Sequence, residues 1–74
     1  MGRWKTPGEL EAELRYKDLF RNGYSIASIA WREGVGAIVD RYKNDGLDVE
    51  IRNAFSPNGE LDREKRFVFV RERK

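Results

Sequence analysis

The chain has no cysteine and no histidine. These two absences together exclude disulfide staples, zinc fingers and the common nucleophile–base pairs of enzymes. Proline is scarce, with two residues. No apolar run approaches the roughly 18 residues of a membrane span, and Met1-Gly2-Arg3-Trp4-Lys5 leads into no signal-type hydrophobic region. A large excess of one charge is also missing: 15 basic residues face 13 acidic ones, for a net charge of +2. A dedicated nucleic-acid binder concentrates positive charge, so any basic face here must come from sorting in three dimensions. The composition predicts a soluble, cytoplasmic protein that is no enzyme and needs no metal or cofactor. The carboxylates of Glu9, Glu11 and Glu13 fit helix-start electrostatics better than an acid/base pair.

Within these limits, 74 residues form one domain (1–74). A chain of this size buries only about 60% of its unfolded surface, so its core has to be compact. Thr6-Pro7-Gly8-Glu9 is a complete helix start, with Thr6 capping free amides, Pro7 at the first helical position and Glu9 closing a capping box. Helix 1 is predicted over 7–21, turning Leu10, Leu14, Phe20 and Tyr16 inward and ending at Asn22-Gly23. Ser25 can cap a second helix over 25–33, with Ile26, Ile29 and Ala30 inside and Trp31 in the core. Val35, Ile38, Val39 and Tyr42 then fall at i, i+3, i+4 and i+7, the stripe of a third helix that ends near Asn44 and stops at Gly46.

From Leu47 the period becomes two. Leu47, Val49 and Ile51 alternate with Asp48, Glu50 and Arg52, as in a half-buried strand. Ser56-Pro57-Asn58-Gly59 is strong turn chemistry, and a closing strand is predicted over 66–71. Residues 54–65 form the long loop between the two strands, and residues 1–5 a short basic arm. Trp4 in that arm could fold back over helix 1 or anchor a second subunit.

The pair of helices predicted around Ala30, Gly34 and Val35, followed by Ile38 and Val39, resembles the helix-turn-helix of bacterial and phage regulators. The next segment, Arg41-Tyr42-Lys43-Asn44-Asp45-Gly46 passing into Leu47-Asp48-Val49-Glu50-Ile51, resembles small winged-helix domains of phages and mobile elements. One position departs from the family pattern: the helix-turn-helix anchor expected five residues after Val35 is Asp40. The resemblance implies an α+β winged helix, three helices followed by a two-stranded antiparallel hairpin with 54–65 as the wing. It also implies a DNA-binding regulator or accessory factor of a phage or other mobile element, acting on double-stranded DNA and dimeric or held by a larger partner.

Helix 3 would then enter the major groove. Arg32, Arg41, Lys43 and Asn44 are residue types that contact phosphates and base edges, while Arg63, Lys65 and Arg66 in the wing would hold the backbone. The alternative from the same sequence is a protein-interaction module that docks on a partner protein and modulates it. Near-neutral charge favours that alternative.

Overall fold

The computed structural model describes residues 5–73, so the predicted roles of Trp4 and of the arm before Lys5 lie outside the described residues. The N-terminal helix begins as its sequence demands. The Thr6 hydroxyl accepts from the Glu9 N–H at 3.2 Å, and the Glu9 carboxylate accepts from the Thr6 N–H at 3.0 Å, a reciprocal capping box. Helix α1 spans Pro7–Arg15; the backbone then breaks at Tyr16, and a single further turn, α2, spans Lys17–Arg21. Gly23 ends the segment with φ +89°.

The inward face of α1 differs from the predicted one. Gly8 and Ala12 are buried, Tyr16 packs against the core, and Leu10 and Leu14 are 48% and 68% exposed. Residues 8, 12 and 16 lie four apart and share one side of the helix. Two of them are small, so the helix axis can approach the sheet closely. Closeness of approach, rather than hydrophobicity, chose that face.

The predicted second helix is a strand. β1 spans Ser25–Trp31 and pairs antiparallel with the last strand, with a bulge between Ile26 and Ser28. Ala27 is the extra residue, and an insertion of one resets which side chains share a face. Ile26 is partnered by Phe69, Ile29 by Phe67 and Trp31 by Lys65, all on one side; Ser28 and Ala30, opposite Val68 and Arg66, lie on the other. The bulge thus places Ile26 and Ile29 three apart on one face, which is helical spacing. That is the physical source of the helix expectation.

Helix α3 spans Val35–Asn44, and strands β2 and β3 span Leu47–Phe55 and Leu61–Glu72. Val35, Ile38, Val39 and Tyr42 are the partly buried positions of α3 and its other residues are exposed, as the stripe predicts. Gly46, with φ +86°, lets the chain turn from helix into strand. The loop predicted over 54–65 is mostly strand. Its turn is short: Gly59 N–H donates to the Ser56 carbonyl at 2.9 Å and Ser56 N–H to the Glu60 carbonyl at 2.8 Å, with Gly59 at φ +92°. The polar residues of this stretch are accommodated by an irregularity in β3, where the register jumps from Asn53↔Arg66 to Ala54↔Asp62.

The sheet has three strands in the order β1-β3-β2, and β3 is antiparallel to both neighbours. β1 and β2 are therefore parallel to each other, with α3 as the crossover between them. This overturns the predicted winged helix of three helices and a two-stranded hairpin: the helix-turn-helix is absent because its first helix is the edge strand β1. On one side of the sheet, Ala12, Tyr16, Leu19 and Phe20 pack with Ile26, Ala54, Phe55, Phe67 and Phe69. Edge-to-face rings join Tyr16 and Phe20 to Phe69 at 5.8 and 5.6 Å, and the Tyr16 hydroxyl donates to the Asn53 carbonyl at 2.7 Å. α3 covers the opposite side and contacts all three strands. There, Val68 is fully buried, and the hydroxyls of Tyr42 and Ser28 meet at 2.7 Å. The central strand β3, buried on both faces, is what the chain closes around.

Candidate interaction surface

The residues predicted to contact DNA divide between opposite ends of the sheet. Arg32 follows β1, with its Nε 3.4 Å from the Glu64 carboxylate and its N–H donating to the Glu64 carbonyl at 2.9 Å. Lys65 Nζ lies 4.9 Å from the centre of the Trp31 ring. Arg66 spends its guanidinium on the Arg63 and Lys65 carbonyls at 2.7 and 3.0 Å, while Arg63 is exposed. These four belong to one end. Arg41, Lys43 and Asn44 are exposed on the last turns of α3, which lead into Leu47, the partner of Glu72. Trp31 is partnered by Lys65, so the two groups are separated by seven residues of β3, about 23 Å of extended strand. Asp40 and Asp45 flank the second group and weaken any positive field there.

A second cluster of charge was not anticipated from the sequence. Asp48 accepts from Arg71 at 2.9 Å and from Arg73 at 3.1 Å, and Arg71 also donates to the Asn22 carbonyl at 2.9 Å and stacks 4.5 Å over Tyr24. The hydrogen bonds from Arg71 and then Arg73 hold the Asp48 carboxyl below its usual range, and Asp48 in turn raises Arg71. Asn22, Asp48 and Arg71, with Arg21, Gly23 and Glu72, line a concavity of about 750 Å³. Asp48 and Arg71 are spent on one another and on the Asn22 carbonyl, so this part is a clasp joining β2, β3 and the end of α2. Near the Tyr16 hydroxyl, burial pushes the phenol above its ordinary value against the opposing pull of Arg15, Arg52 and Arg66. Among the described residues no group of three potential metal ligands occurs, and no helix is long and apolar enough to cross a membrane.

The surface that stands out is the edge strand β1. Residues 22–31 form the longest stretch of the chain without a charged side chain, and β1 lies inside it. Ile29 and Trp31 are 52% and 61% exposed, so Trp31 is a surface residue and not the core aromatic predicted. α1 and α2 pack over Ala54, Phe55 and Phe69 and leave the Ile29–Trp31 end of β1 uncovered. The other edge strand, β2, has Asp48, Glu50 and Arg52 at alternate positions, the usual protection against unwanted strand pairing. β1 carries no such charge, and its bulge at Ala27 interrupts only the Ile26–Ser28 stretch, leaving Ile29–Trp31 in regular register. No sequence pattern announced this, because the bulge disguised the strand. No protein-family model matches this chain, and no curated protein or solved structure matches it.

Proposed function

We propose that this chain is a protein-interaction module that receives an extended segment of a partner along the β1 edge. One observation carries the reading: β1 is a charge-free edge strand with Ile29 and Trp31 exposed side by side on one face, opposite a β2 edge guarded by charge. An added strand gains main-chain hydrogen bonds from the edge and specificity from alternate side chains. Trp31, steadied by Lys65 at 4.9 Å, supplies the kind of large aromatic anchor that dominates binding energy at protein interfaces. Duplex binding draws less support, because its basic residues stand at two ends of the sheet and the net charge is +2.

Selection from a displayed library of random peptides, run beside a salt-titrated assay on random duplex DNA, tests the reading. Extended apolar peptides should emerge that bind the wild-type chain and fail on Ile29→Lys, while duplex binding should be absent or insensitive to Arg41→Ala with Lys43→Ala. An empty selection together with steeply salt-dependent duplex binding, lost in that double variant, would overturn it in favour of DNA.

A further inference from the structure

We infer that the segment received by β1 is the β1 strand of a second copy of this chain, giving a closed dimer with a two-fold axis at Ile29. The inference rests on the reading of β1 as the docking edge. In antiparallel self-pairing each residue meets a residue of the same short segment, so a charge on the strand would meet either its own kind or a neutral group. β1 contains none. The ladder also selects the register. Arg32 N–H donates to Glu64, and in an antiparallel pair the residues that bond inward alternate with those that face outward. Arg32, Ala30 and Ser28 therefore address β3, while Ile29 and Trp31 address the free edge. The Trp31 carbonyl already accepts from Gly34 N–H at 3.0 Å. Between the bulge and that turn, Ile29 alone has both backbone groups unspent among the described residues.

An axis at Ile29 lets the two Ile29 residues exchange both hydrogen bonds and sets Trp31 of one copy beside Ala27 of the other. Ala27 is exposed, is the extra residue of the bulge, and has only a methyl group, so it puts no large side chain in the way of the pairing. The same geometry predicts closure. Two open edges would propagate into a filament, but the charges of β2 leave one edge open, so assembly stops at two. The bulge at one end and the turn at the other keep the paired stretch short, so the dimer forms reversibly with concentration.

Cross-linking through an introduced cysteine tests this directly, because the native chain has none. A hydrogen-bonded antiparallel pair sets its Cα atoms about 5.5 Å apart, within the span a disulfide accepts. Ile29→Cys should form covalent dimer under mild oxidation about tenfold or more faster than Leu61→Cys, an exposed control on β3. In sedimentation equilibrium the wild-type chain should pass from monomer toward dimer as concentration rises, while Ile29→Lys, folded by circular dichroism, stays monomeric. A wild-type chain that is monomeric at millimolar concentration, with equal cross-linking rates at the two cysteines, overturns the inference. If peptides are nevertheless selected on β1, the docking edge stands with another partner; if they are not, the docking reading falls with it.

Discussion

A Cβ built on Gly8 would lie 2.1 Å from the carbonyl oxygen of Ser56, so the first turn of α1 rests directly on the backbone at the end of β2. Glycine inside a helix ordinarily costs stability, and Gly→Ala at an unhindered helical site stabilises by up to about 1 kcal/mol. At Gly8 the sign should reverse. The blocking atoms are backbone and cannot swing aside, so Gly8→Ala is expected to destabilise by about 1–3 kcal/mol, measured by urea denaturation. Gly36→Ala, on the exposed side of α3 with nothing within 4 Å, should be neutral or stabilising in the same assay.

Gly46 presents the opposite case. A Cβ there meets nothing within 4 Å, but φ is +86°, so backbone conformation is the whole cost. Gly46→Val should lose about 1–2 kcal/mol, and Gly46→Asn distinctly less, since asparagine tolerates the left-handed region. Equal melting temperatures for wild type and Gly46→Val would refute the assignment.

The Ser28–Tyr42 hydroxyl pair tests whether α3 is held on the sheet as described. Tyr42→Phe removes one partner from a part-buried hydrogen bond of 2.7 Å and should cost about 1 kcal/mol. Ser28→Ala should cost little more once Tyr42 is already phenylalanine. Strict additivity of the two substitutions in a double-mutant cycle would show that the pair does not interact.

Two carboxylates give the fold an acid-sensitive margin. The Thr6 backbone and side-chain hydrogen bonds hold Glu9 below its ordinary 4.5, and Arg71 and Arg73 hold Asp48 below its ordinary 3.8. A carboxylate depressed in the folded state contributes stability that is present above its unfolded value and lost as pH falls through its folded one. Stability should therefore fall as pH drops below about 4.5, in the window set by these two groups. Glu9→Gln with Asp48→Asn should flatten that part of the profile. An unchanged acid limb in the double variant would assign the loss to other groups.

Local signals in the sequence determined local structure. Thr6, Pro7 and Glu9 specified the start of α1, Gly23 and Gly46 specified two left-handed exits, and the Val35-Ile38-Val39-Tyr42 stripe specified α3 and its inward face. Each depends on atoms a few residues apart, so a short window contains the whole cause. The tertiary structure decided what depends on distant partners. Ile26 and Ile29 have helical spacing, and only pairing with Phe69 and Phe67 across a bulge at Ala27 makes them one face of a strand. Leu10 and Leu14 are as apolar as any core residue, yet close approach to Ser56 selects the Gly8–Ala12 side of α1. Placing β3 between β1 and β2 extends strand into the polar 61–65 segment, where Leu61 and Asp62 pair with the end of β2 and Glu64 and Lys65 with the end of β1, and this pairing outweighs the segment's weak preference for extended structure. The candidate surface belongs to this second kind: the absence of charge in residues 22–31 is written in the sequence, but that those residues form an open edge is a property of the sheet.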